Sequence, residues 1–220
     1  MDKTGQKYRI GIFPEEKDVS HFRRYARKGF SFVEYKLNLS DIDSIIASLR
    51  GRKSGCEAAI LLHYGESGSN EEEIIKSISN VYSLLYDFAD QFIIDISHQN
   101  FDYADDIIDT LVGIRLCYDT YKPLLVHIPE GISEDYVDDI LKSCRMSGID
   151  GVITQNFKMA LEKVGSRYPV YAELQYATPE IVSEALINGA DAVLVQSYKP
   201  GCHFTKKCLK ACVELSKKKI

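Results

Sequence analysis

No stretch of this chain approaches the ~18 consecutive apolar residues of a membrane span, and the polar start Met1-Asp2-Lys3-Thr4 lacks the apolar core of a secretory signal. No membrane partner is expected, and a cytoplasmic location follows as the default. None of the six cysteines belongs to a tight Cys-x-x-Cys pair. Cys56, Cys117, Cys144, Cys202, Cys208 and Cys212 therefore read as reduced, mostly buried small hydrophobes. The one local cluster, Cys202, His203, Cys208 and Cys212, is read the same way rather than as a metal site, because Cys208 and Cys212 share one face of a terminal helix. Basic charge is also scarce: the net charge is −5, and the one basic run, Lys217 to Lys219, suits the negative end of a last helix dipole. That excludes a nucleic-acid binder with a basic stripe and leaves a small-molecule ligand as the expected partner. Finally, no Pro/Gly/Ser-rich linker and no Gly-rich GxGxxG turn interrupts the chain, so a single domain over residues 1–220 is expected.

What is present is a cadence. Eight short apolar runs, most ending in a hydrogen-bonding side chain, alternate with helical stretches: Tyr8 to Phe13, Phe30 to Leu37, Ala58 to Tyr64, Phe92 to His98, Leu124 to Ile128, Gly151 to Asn156, Val170 to Gln175 and Ala192 to Tyr198. Run starts recur at roughly 19 to 33 residues, the length of a strand plus a crossover helix. Helix starts are marked by Asn70 before three glutamates, Ser133 before Glu134 and Asp135, and Thr178 before Pro179 and Glu180. Glycines close helices at Gly29, Gly148 and Gly189. The pattern predicts an α/β fold, a single (β/α)8 TIM barrel, with a doubly wound open sheet as runner-up.

A barrel places chemistry at the C-terminal ends of its strands. Those ends carry Glu34, His63, Asp95, Ser97, His127, Asn156, Glu173 and Gln196. Alternation pairs Asp95 with Ser97, Thr154 with Asn156, Glu173 with Gln175, and Gln196 with Tyr198, and the expected direction is the barrel interior near its mouth. Such convergence predicts a ligand pocket, the alternative being a buried polar layer whose members satisfy one another.

Residues 86 to 100, Tyr-Asp-Phe-Ala-Asp-Gln-Phe-Ile-Ile-Asp-Ile-Ser-His-Gln-Asn, resemble the fourth-strand motif of dihydroorotate dehydrogenases, an apolar strand ending in Asn-x-Ser-Ser/Cys-Pro-Asn. Lys122-Pro-Leu-Leu-Val-His-Ile-Pro-Glu, Ser147-Gly-Ile-Asp-Gly-Val-Ile-Thr-Gln-Asn and Lys28-Gly-Phe-Ser-Phe-Val-Glu are similar to the family's fifth, sixth and second strands. The resemblance spans roughly residues 8 to 215. It implies a flavoprotein that oxidises dihydroorotate to orotate in pyrimidine synthesis, with FMN accepting a hydride. Carried over, the base position becomes His98, the substrate side Asn100, Asn156 and neighbouring Ser97, and the flavin side Asp95, His127, Tyr198 and Lys199. A homo-oligomer or a partner subunit is likewise implied.

The chain departs from that pattern on the flavin side. The family's small first-strand loop reads Phe13-Pro14-Glu15-Glu16, its fifth-strand lysine is His127, and its glycine turn after strand seven is Ala172-Glu173-Leu174-Gln175. A carboxylate thus stands near the expected phosphate. Three readings follow: a divergent dihydroorotate dehydrogenase; a non-catalytic relative that binds a metabolite or partner protein; and a metal-dependent hydrolase using His63, His127 and Asp95.

Overall fold

The computed structural model describes residues 8–13, 22–36, 42–50, 56–63, 70–96, 103–165, 167–198 and 203–218. Eight strands are present: β1 Arg9–Ile12, β2 Phe32–Lys36, β3 Glu57–Leu62, β4 Gln91–Asp95, β5 Leu124–Ile128, β6 Gly151–Thr154, β7 Val170–Ala177 and β8 Ala192–Tyr198. A helix follows each: α1 Phe22–Arg27, α2 Ile42–Arg50, α3 Glu71–Leu85, α4 Ala104–Arg115, α5 Glu134–Met146, α6 Phe157–Val164, α7 Pro179–Ile187 and α8 Phe204–Lys218. All strand pairs are parallel, and β1 closes onto β8 with Arg9 opposite Ala192 and Ile12 opposite Val195. Closure removes the open-sheet alternative.

Local chemistry sets the helix ends. Asn70 accepts the Glu73 N–H at 3.0 Å, Ser133 the Tyr136 N–H at 3.4 Å, and Thr178 the Ile181 N–H at 3.4 Å, so all three expected N-caps form. Gly29, Gly148 and Gly189 close helices with left-handed φ of +86°, +77° and +111°.

Apolar residues on the outer strand face, including Val33, Ile60, Ile94, Val126 and Val193, pack with the helices in one large core. The inner face forms a separate core of Phe32, Ala59, Leu61, Ile93, Leu125, Ile153, Tyr171, Ala192 and Leu194. Below it, Arg9 donates to the Tyr171 hydroxyl at 2.8 Å, pairs with Glu57, and holds its guanidinium carbon 5.4 Å from the Phe32 ring centre. This floor leaves the opposite end for polar groups.

Gly11 shows how tightly the interior is filled. A Cβ built there would lie 2.2 Å from the Phe32 ring, so the ring fits only over a glycine. Gly11→Ala is expected to cost about 1–3 kcal/mol through overpacking, read as a lower urea midpoint with an unchanged slope. An unchanged midpoint would show that Phe32 can move aside.

Candidate binding site at the barrel mouth

Strand register brings the polar side chains together. Asp95 on β4 stands opposite His127 on β5, while Glu173 on β7 stands opposite Leu194, two residues before Gln196 on β8. Both Asp95 and Glu173 are buried. His127 bridges them, with Nδ1 3.4 Å from Asp95 Oδ1 and Nε2 3.0 Å from Glu173 Oε2. His63, just past the end of β3, sets its Nδ1 2.6 Å from the other Asp95 oxygen. Gln196 donates from Nε2 to Glu173 Oε1 at 2.5 Å. One network thus crosses from β3 to β8.

Its charges follow from these partners. Burial alone would lower the His127 pKa, but hydrogen bonds to Asp95 and Glu173 and their negative charges outweigh that and raise it to about 10. The ring is therefore an imidazolium that donates from both nitrogens. Burial would raise Asp95, yet its hydrogen bonds with His127 and His63 hold it well below the usual carboxylate range. Glu173 is lowered for the same reason, burial being outweighed by His127, Gln196 and Gln155.

Glu34 on β2 behaves in the opposite way. It is 5% exposed, and among the described residues no hydrogen-bond donor reaches its carboxyl. Burial pushes its pKa up to about 8; the His127 charge opposes the rise, and the Glu173 and Asp95 charges add to it. At neutral pH this acid is mostly protonated. Two ionised carboxylates, one imidazolium and one neutral carboxylic acid thus share a single mouth.

Among solved structures, the chain is similar to a dihydroorotate dehydrogenase from Eimeria tenella in complex with ferulenol, with a TM-score of 0.75, 14% identity, and 95% of this chain and 81% of that chain covered. It is also similar to thiamine phosphate pyrophosphorylase from Pyrococcus furiosus (TM-score 0.63, 12% identity, 95% and 97% covered). Orotidine 5'-phosphate decarboxylase from Pyrococcus horikoshii matches at a TM-score of 0.64 and 12% identity, over 94% of this chain and 99% of that chain. What these structures share with the chain is the barrel. No family profile matches the sequence, and no curated protein does. Identities this low establish the fold and single out none of the activities.

The residues expected from sequence are distributed unevenly. His98, Asn100, Ser97 and Lys199 lie outside the described residues. Asp95 and His127 meet in the network, each engaged with the other. Asn156 is the N-cap residue of α6, and its backbone N–H donates to Thr154 Oγ1 at 3.2 Å. Thr154 itself is a correction: its register partners Ile128 and Ala172 belong to the helix-facing core, so it faces the helices and not the interior. Gln155 takes the inward position, accepting from Gln175 Nε2 at 3.3 Å. Tyr198 also departs from the expected direction. It packs on Phe30 and Phe204 with ring centres 5.6 and 4.6 Å away, and its hydroxyl accepts from Lys28 Nζ at 2.7 Å. That aromatic and cationic contact, not the mouth, fixes the Tyr198 ring.

Two further features bear on ligands. Among the described residues no group of three or more His, Cys, Asp and Glu side chains is arranged to hold a metal ion. In the mouth both His127 nitrogens already face carboxylates. Strand β7 passes into α7 through Thr178 alone; Thr178 Oγ1 takes the Ile181 N–H, and Pro179 has none to offer. The Glu180 carboxylate, held low by its own backbone N–H and by Thr178, occupies that helix start. The turn provides no glycine cradle for a phosphate.

Proposed function

We propose that the protein is a dihydroorotate dehydrogenase-like barrel that has given up flavin and binds a small metabolite in its mouth. The Asp95–His127–Glu173 network carries this reading. Where the resemblance would seat FMN, the chain presents an ionised glutamate tied to a buried imidazolium, and the β7–α7 turn offers a phosphate neither glycine nor an open donor set. An anionic phosphate there would meet like charge.

The competing reading is oxidation of dihydroorotate by bound FMN, with His98 as base and Asn100 and Asn156 on the substrate. Motif order along residues 28 to 156 and the similarity to the Eimeria tenella enzyme favour it. The absorption spectrum of the purified protein separates the two. We expect a colourless protein that takes up no FMN on incubation, with a melting temperature FMN leaves unchanged. Flavin absorption that survives gel filtration and bleaches on adding dihydroorotate would overturn the proposal.

A further inference from the structure

We infer that the pole opposite the mouth is a docking face for a second copy of this chain, related to the first by a two-fold axis. Of the seven large hydrophobic side chains left exposed among the described residues, four collect there: Leu84 at 54% exposure, Leu116 at 80%, Tyr121 at 65% and Met146 at 78%. They stand at the C-terminal ends of α3, α4 and α5 and in the turn after α4. Short contacts tie these ends into one surface. Tyr118 lays its ring 3.7 Å from that of Tyr86 and donates to the Ser83 carbonyl at 3.4 Å, joining α4 to α3. Arg115 donates to Asp150 at 2.7 Å and to the Gly148 carbonyl at 2.8 Å, joining α4 to the turn after α5. Tyr121 donates to Asp150 with its ring centre 5.0 Å from the Arg115 guanidinium carbon, so it is held in place while most of it faces solvent. A fixed aromatic and aliphatic patch of this kind is what association covers.

Charge says what covers it. The α3 and α4 side carries Asp87 and Asp119, and the α5 side carries Lys142 and Arg145, all four exposed. Other charges nearby are engaged within the chain: Arg50 lies over the Phe88 ring at 5.0 Å, Lys122 donates to the Ala89 carbonyl at 2.9 Å, and Asp150 serves Arg115. A two-fold axis brings one flank of a patch onto the other, because each residue then meets its counterpart in both directions. Placed between the ends of α4 and α5, it opposes Asp119 and Asp87 of one copy to Arg145 and Lys142 of the other, and does so twice. The same axis turns Leu116 toward Met146 of the second copy, beside which a groove of about 490 Å³ runs between α5 and α6, walled by Leu141 and Val164. A foreign surface of one sign would match one flank and repel the other.

The test is sedimentation velocity of the full chain from about 1 to 100 µM, where small interfaces dissociate. The expected result is a monomer–dimer equilibrium that weakens as salt is raised. Leu116→Asp should abolish the dimer while the far-UV circular dichroism stays that of wild type, because this side chain is exposed in the single copy. Arg145→Asp should weaken association by about tenfold, and adding Asp119→Arg to the same chain should restore it, an outcome that loss of folding cannot imitate. A monomer at every concentration, including one that instead binds lipid vesicles or another protein, would overturn the inference. So would a dimer indifferent to Leu116→Asp, a charge-reversed pair that stays dissociated, or growth beyond the dimer, which a closed two-fold contact forbids. The face lies at the other end of the barrel from the mouth, so uptake of FMN bears on none of these outcomes.

Discussion

Replacing His127 with leucine is expected to destabilise the folded protein by about 3–5 kcal/mol at pH 7. The substitution removes the imidazolium that Asp95 and Glu173 share, and both carboxylates remain buried. Asp95 keeps His63, so Glu173, left with glutamine partners, carries most of the loss. The pH dependence checks the mechanism. A folded pKa near 10 against an ordinary value of 6.5 means that the stabilisation from His127 is complete below about 6.5 and is lost as pH rises through about 10. The lowered carboxylates Asp95 and Glu173 work at the other end: their contribution is present above their ordinary values and is lost as pH falls through the depressed folded ones. Urea denaturation of wild type and His127→Leu should therefore give curves that differ most between pH 5 and 7 and converge toward pH 10. Adding Glu173→Gln to the leucine variant should restore about 1–2 kcal/mol by removing the stranded charge. A loss below about 1 kcal/mol at pH 7 would mean that Asp95 and Glu173 do not depend on this ring.

The fold was legible because its signals are local and repeated. Asn70, Ser133 and Thr178 each cap a helix through a contact only three residues away, and the same grammar of cap, helix, glycine and strand recurs along the chain. The strand β5 matches its apolar run over Leu124–Ile128, and β8 over Ala192–Tyr198. The site was legible only in part. Polar strand ends announced Glu34, His63, Asp95, His127, Glu173 and Gln196, but which of two neighbours faces inward depends on register. In β6, Val152, Ile153 and Thr154 are all compatible with either face, so alternation could not reveal that Gln155 lies inside and Thr154 outside. The preceding Gly151 carries the one available clue, since a Cβ there would press on Pro169 and Leu125. Tyr198 fell outside the reach of alternation for another reason. Its orientation is set by Phe30, Phe204 and Lys28, which lie far away in sequence.

Charge state was the least legible property. As sequence, Glu34, Asp95 and Glu173 are three equivalent acids on three strands. Distance to His127 divides them, because two accept its protons and the third does not. The barrel that carries them is one that dihydroorotate dehydrogenase shares with thiamine phosphate pyrophosphorylase and orotidine 5'-phosphate decarboxylase, so the partition of charge belongs to this chain's side chains and not to the fold.

Glu34→Gln should make the protein more stable than wild type by a margin that grows with pH, from a little under about 1 kcal/mol at pH 5 to on the order of 4 kcal/mol at pH 8. The sign is opposite to that of an ordinary surface carboxylate. In the unfolded chain this acid ionises near its usual value of 4.5, whereas burial holds it protonated in the fold until about pH 8. Between those values the unfolded state binds fewer protons than the folded state, so its stabilisation relative to the fold grows with pH. Stability from this group is thus complete below 4.5 and is lost as pH rises through about 8. The groups that face Glu34 fix the size of the effect: Asp95 and Glu173 push its pKa up, His127 and Lys36 pull it down, and burial exceeds them all. Glutamine preserves the shape and cannot ionise, so the variant escapes the loss entirely. His127 also drains stability over part of this range, but it does so in both proteins. The difference between their urea midpoints at pH 5, 6, 7 and 8 isolates Glu34. A difference that grows with pH identifies an acid protonated in the fold; a flat difference would mean that Glu34 is already ionised there.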